Sequence, residues 1–307
     1  MKNITIIGSG AFGCALAHTF SKNNNITMWS YTKEEADSIN NNHECLLLNS
    51  IKLDESINCF TDFEKAIYNS DIIVLVTPSD TIRNTCKEIK EYINNQDILI
   101  ASKGMENDKV LTEVIKEELN KEVSVIMGPS FAEEIGEDIP TFVELSGNKE
   151  LVDILSNDSL KIIYNNDPIG LQVGGALKNV ITLACGIVEG LGYKVNTASY
   201  IITEGLNEIK DIGVSLGASQ STFYGLSGIG DLYGTSLSKK SRNKRAGILI
   251  GQGKKLEEIR NEVGQTIEGL DTLKDVKYII DNKNINCPLL TNLYNIIYNN
   301  QDVRSII

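Results

Sequence analysis

The apolar positions of the first half of the chain fall into short β-branched runs separated by stretches with helical spacing. Residues 4–7, 26–29, 71–76, 98–101, 123–127 and 141–145 read as buried strands, each bounded by Gly, Pro, Asn or Ser. Between them, 11–23, 32–41 and 81–93 carry the periodicity of helices. Such alternation predicts a parallel sheet covered on both faces, an α/β doubly wound arrangement. Past Asp167-Pro168 the strand signal fades, and 170–191, 197–216, 256–262, 272–282 and 288–298 read as helices joined by glycine-containing turns. The pattern predicts two domains, 1–165 and 166–307. No Pro/Ser-rich linker, low-complexity tract or repeat separates them.

Composition narrows the chemistry. With 29 Lys+Arg against 41 Asp+Glu the net charge is −12, which disfavours nucleic acid and anionic membrane as partners. An anionic ligand must therefore be gathered locally. Only two histidines occur, His18 and His43, so acid–base chemistry is expected to rest on another residue. The six cysteines are scattered without a C-x-x-C pair, which predicts no metal site and a reduced, cytoplasmic chain. The apolar run at residues 4–7 is too short for a signal peptide. Residues 169–192 have the length of a membrane span, but Gln172, Lys178, Asn179 and Glu189 interrupt them, so a buried central helix is expected and no span.

Gly8-Ser9-Gly10-Ala11-Phe12-Gly13 follows the first strand directly and opens a helix, the context that a dinucleotide fingerprint requires. The first glycine allows a tight turn, the second lets a pyrophosphate approach the backbone, and the third lets helix and strand pack closely. The helix N-terminus offers amides and partial positive charge to phosphate. About twenty residues on, where NAD-selective chains carry an acid, the sequence reads Trp29-Ser30-Tyr31-Thr32-Lys33, with no acidic residue until Glu34. A carboxylate there would repel a 2′-phosphate. Its absence, with hydroxyls and a lysine nearby, leaves NADP open beside NAD.

Four further clusters set polar residues among glycines. Ser102-Lys103-Gly104 and Gly128-Pro129-Ser130-Phe131-Ala132 each follow a strand, at the carboxyl edge where open α/β sheets bind ligands. Gly174-Gly175-Ala176-Leu177-Lys178-Asn179 puts a lysine in an apolar helix whose two glycines weaken it by ~1 kcal/mol each, which implies close approach of another group. Desolvation would lower the pKa of Lys178 from about 10.4 toward a range useful for proton transfer, unless its ammonium reaches solvent. Gly228-Ile229-Gly230-Asp231-Leu232 precedes Thr235 and the basic run Lys239-Lys240-Ser241-Arg242-Asn243-Lys244-Arg245, which suits phosphate or forms a solvated face.

In this order, 8–13, 102–104, 128–132, 175–179, 228–232, 241–243 and Glu268-Gly269 resemble the bacterial NAD(P)-dependent glycerol-3-phosphate dehydrogenases over almost the whole chain. The resemblance implies a Rossmann-type domain followed by an all-helical domain like that of 6-phosphogluconate dehydrogenase. It implies hydride transfer between NAD or NADP and a small phosphorylated substrate, dihydroxyacetone phosphate or sn-glycerol 3-phosphate, to supply phospholipid synthesis. Lys178 is then the proton donor in reduction, Lys103 and Asn179 position the substrate, and Asp231 and Thr235 hold the lysine. Ser241, Arg242 and Asn243 grip the phosphate, and Gly128 and Ser130 face the substrate. Gly8, Gly10, Ala11, Phe12, Gly13, Tyr31, Thr32, Lys103, Ala132, Arg242 and Glu268 match cofactor positions. Ser236, Glu204 and Tyr31 depart from residues common in the family. A related reductase of small hydroxy or keto acids and a non-catalytic dinucleotide sensor are the other readings, and monomer and homodimer both remain open.

Overall fold

The computed structural model describes residues 1–307, apart from the side chains of 49 and 50. The chain divides into two compact units, one of residues 1–103 and 111–168, the other of 104–110 and 169–307.

The first unit is built on eight strands: β1 (Asn3–Ile7), β2 (Asn25–Trp29), β3 (Asn58–Phe60), β4 (Ile72–Leu75), β5 (Asp97–Ile100), β6 (Val123–Met127), β7 (Thr141–Ser146) and β8 (Leu160–Tyr164). They lie side by side in the order β8-β7-β6-β5-β4-β1-β2-β3. All six strands expected from the sequence are in this sheet. Burial of both faces explains their legibility: Ile4, Ile6, Ile72, Val74 and Leu99 are almost wholly inaccessible, so the runs are predominantly apolar. The two unexpected strands are at the edges, and β8 alternates buried and exposed positions, which weakens its signal.

The sheet is not wholly parallel. β6 and β7 pair antiparallel, with Ile126 opposite Leu145. A parallel return needs a crossover that brings the chain back along the full strand. Residues 128–140 hold only the short helix Ala132–Gly136, about 7 Å long against a strand of about 17 Å, so the chain turns back instead.

Helix α1 (Ala11–Ser21) follows β1, and α2 (Lys33–Asn42) follows β2. The strand order reverses direction between β1 and β4, and that switch point is where open α/β sheets leave a crevice.

The second unit is helical. Its axis is α3 (Pro168–Gly190), in which every residue from Gly170 to Val188 is buried. This is the helix long and apolar enough to cross a membrane, and its apolar window is completely enclosed by protein. Around it lie α4 (Val195–Ser215), α5 (Asp231–Leu237), α6 (Arg242–Gly251), α7 (Leu256–Val263), α8 (Glu268–Lys283) and α9 (Pro288–Tyr298). Helices α3 and α6 meet along a glycine seam. A Cβ at Gly186 would stand 2.2 Å from the Lys244 carbonyl oxygen, and one at Gly247 would stand 2.1 Å from that of Leu183. Backbones this close tolerate no side chain, so the seam fixes the start of α6 against α3. The β-hairpin Met105–Glu106/Lys109–Val110 also belongs to this unit: Met105 and Val110 join its core, and the Asn107 amide donates to Asp275 Oδ1 at 3.1 Å.

Candidate active site

The glycine loop has the three distinct environments its pattern requires. Gly8 adopts φ +126°, and a Cβ there would lie 3.0 Å from the Val76 backbone. A Cβ on Gly13 would lie 2.1 Å from the Gly8 carbonyl oxygen, so this glycine lets α1 pack on the loop. Gly10 is the opposite case, with no heavy atom within 4 Å of where its Cβ would be. The α1 N-terminus carries no side-chain cap, which leaves first-turn amides for an anion. Ala11 and Phe12 are half-buried at this turn.

Two features of the same corner were not expected. Thr77, just past β4, is 8% exposed, and its hydroxyl has no hydrogen-bond partner. Its carbonyl is occupied, accepting from Ser102 Oγ at 2.5 Å. A buried hydroxyl left without a partner costs about 1–3 kcal/mol, so an orphan at a sheet's switch point is a place for a ligand. The second feature is Glu35 in the first turn of α2, whose Oε2 accepts from Ser9 Oγ at 2.7 Å and Ser30 Oγ at 2.9 Å. An open Gly10, an uncapped helix start and a waiting hydroxyl fit a dinucleotide. Of the other positions flagged there, Thr32 is the N-cap of α2 and accepts from the Glu35 amide at 3.3 Å, while Tyr31 is 86% exposed.

At the carboxyl ends of β5 and β6, Lys103 Nζ donates to the Gly128 carbonyl at 3.0 Å and lies 3.5 Å from Ser130 Oγ. Gly128 has φ +146°, and a Cβ there would press on Val143. The structure thus brings Lys103, Gly128 and Ser130 together, with Ala132 opening the short helix that follows.

In the second unit Lys178, 6% exposed, does not reach solvent. It forms a salt bridge with Asp231, itself 1% exposed, and donates to Thr235 Oγ1 at 3.0 Å. The facing carboxylate favours the charged form of the amine and so opposes the effect of desolvation on Lys178. The neighbouring backbone explains how Asp231 arrives there. A π-helical turn, Leu226–Gly230, leads into α5, and a Cβ on Gly228 would collide with the Phe223 carbonyl at 2.2 Å. Gly174 is needed for the same reason, since its missing Cβ makes room for the Ser227 carbonyl at 2.5 Å.

Next to Lys178 in the chain, Asn179 Nδ2 donates to Glu268 Oε2 at 2.8 Å, and Asn243 Oδ1 accepts from the Gly269 amide at 2.9 Å. Asn179, Asn243 and Glu268 therefore form a single cluster at the start of α8. Ser241 caps α6, accepting from the Lys244 amide at 3.3 Å. In the basic run, Lys244 pairs with Glu189 and Arg245 with Glu262. Arg242 is exposed, and among the described residues no acidic side chain holds it. Burial pushes the Cys59 and Cys86 thiols up to about 12 and that of Cys185 to about 11, which keeps these three in the unreactive thiol form.

Residues 3–152 match the family model described as NAD-dependent glycerol-3-phosphate dehydrogenase N-terminus, and residues 167–307 match the corresponding C-terminus. The chain belongs to this family. The glycerol-3-phosphate dehydrogenase [NAD(P)+] of Fusobacterium nucleatum is 43% identical, with 98% of this chain and 94% of that protein covered. The enzyme of the same name from Clostridium acetobutylicum is 39% identical over 98% of this chain and 94% of its own length. A crystal structure of glycerol-3-phosphate dehydrogenase from Coxiella burnetii superposes with a TM-score of 0.95 at 30% identity, covering 99% of this chain and 97% of that one. As a glycerol-3-phosphate dehydrogenase family member the chain is an NAD(P)-dependent oxidoreductase, with a mostly parallel α/β sheet followed by helices.

Proposed function

We propose that the chain interconverts dihydroxyacetone phosphate and sn-glycerol 3-phosphate, the first unit holding the dinucleotide and the second the substrate, and that the product feeds glycerolipid synthesis. The reading rests above all on the buried Lys178–Asp231–Thr235 group, which presents an acid with no histidine involved. The bound nicotinamide dinucleotide supplies the hydride that reduces C2. Lys178 Nζ gives its proton to the oxygen on C2 as negative charge develops there, and takes it back in oxidation. Asp231 and Thr235 hold the Nζ in place through both steps. Asn179 and Lys103 are assigned to orienting the substrate, and Gly128 and Ser130 to its side of the site. Arg242, aided by Ser241 and Asn243, binds the phosphate, for which a guanidinium fork is suited. Gly8, Gly10, Ala11, Phe12, Gly13, Tyr31, Thr32, Lys103, Ala132, Arg242 and Glu268 are the positions assigned to the dinucleotide.

The assay follows NADH and NADPH oxidation with dihydroxyacetone phosphate. Lys178→Ala, confirmed as folded by circular dichroism, loses about 10²–10⁴-fold in kcat, the usual contribution of a positioned acid. A folded variant with parental kcat refutes the mechanism. Arg242→Ala raises KM for the phosphorylated substrate; equal turnover of a phosphate-free hydroxyketone by the parent would remove the role given to Arg242.

A further inference from the structure

We propose that Glu35 is the residue that sets cofactor preference in this chain, and that it selects NAD(H) over NADP(H). This rests on the dinucleotide reading above. The family name leaves both cofactors open, and the stretch directly after β2 contains no acid. The structure supplies one from the next turn.

Glu35 is held where a ribose-reading acid is needed. Ser9 belongs to the glycine loop itself, and Ser30 follows β2 directly. Both are buried, at 5% and 0% exposure, and both hydroxyls converge on the same carboxylate oxygen. The two hydroxyls also lie 2.7 Å apart, and Ser30 Oγ reaches the Thr32 carbonyl at 2.9 Å, so the carboxylate sits in a buried hydroxyl network anchored on the loop. Among the described residues its other oxygen, Oε1, takes no hydrogen bond, which leaves an acceptor for a ribose hydroxyl. Ser30 Oγ also accepts from the Thr32 amide at 3.2 Å, so loop, β2 and helix start form one connected unit.

A 2′-phosphate would bring a charge of about −1.5 to −2 toward this fixed carboxylate. The cation that could offset it, Lys33, is paired with Asp37 at 2.5 Å one turn along α2, and Tyr31 is uncharged. A like charge held on a preorganised side chain is a repulsive element against the wrong ligand.

The test titrates the protein, without substrate, with NADH and NADPH in turn, reading the quenching of tryptophan fluorescence. The parent binds NADH at least about tenfold more tightly than NADPH. Glu35→Gln keeps an oxygen for Ser9 and Ser30 but removes the charge, and narrows that ratio about tenfold, chiefly by tightening NADPH, while NADH affinity moves less than about threefold. A parent that binds both equally or prefers NADPH overturns the proposal. So does a variant that weakens both cofactors alike, the result expected if Glu35 merely braces the loop. If neither cofactor binds the parent, the dinucleotide reading itself fails and takes this proposal with it.

Discussion

Replacing Asp231 with Asn tests whether the buried salt bridge is a working part of the protein. Asp231 and Lys178 are 1% and 6% exposed, and Thr235 Oγ1 joins them, donating to Asp231 Oδ1 at 3.3 Å and accepting from Lys178 Nζ at 3.0 Å. The substitution keeps shape and a hydrogen-bonding oxygen but takes the carboxylate charge away from the buried Lys178. Breaking such a pair from one side costs about 3–5 kcal/mol. In a domain of this size each kcal/mol lowers the midpoint by about 2–4 °C, so a fall of about 10 °C is expected by calorimetry. Adding Lys178→Met removes the stranded charge and recovers much of that loss, since replacing both partners by uncharged groups of like volume is often neutral. In the kinetic assay Asp231→Asn loses activity through kcat more than KM, because its effect passes through Lys178. An Asp231→Asn protein that melts within about 2 °C of the parent and keeps its kcat would show that the pair neither orients the acid nor stabilises the helical unit.

Two glycines of one motif should fail in opposite ways. Gly13→Ala forces a Cβ to 2.1 Å from the Gly8 carbonyl and lowers the melting temperature, whereas Gly10→Val has open space, keeps the melting temperature and weakens NADH binding more than about tenfold. Burial holds the Asp275 carboxyl up at about 6, from an ordinary 3.8, so its favourable contribution is complete below pH 3.8 and is lost as pH rises through 6. Asp275→Asn is therefore more stable than the parent at pH 7.5, by about 1 kcal/mol once screening of a half-buried group is allowed for, and matches it at pH 4 in thermal melts.

The sheet and helices were legible where burial leaves a periodic trace and obscure where it does not. Six strands with both faces covered stood out as apolar runs, while β3 and β8, on the sheet edges, left too short or too mixed a signal. Helix α6 was hidden because its first four residues belong to the basic run 239–245, which reads as a surface charge cluster, and its packing depends on glycines, which carry no hydropathy. The site shows the same division. Lys178, Asp231 and Thr235 could be named together from motif order, but not from periodicity, because residues 53 positions apart are joined through a π-helical turn that leaves no hydropathy pattern. Glu35 was invisible for a more specific reason. Thr32-x-x-Glu35 has the spacing of a capping box, in which the acid would reach back to the Thr32 amide. Here Ser30 Oγ accepts from that amide instead, and the carboxylate is released toward Ser9. A local rule fails at this point because a residue from the preceding turn satisfies the same donor, and an acid that would have served only to cap a helix becomes available to read a ligand.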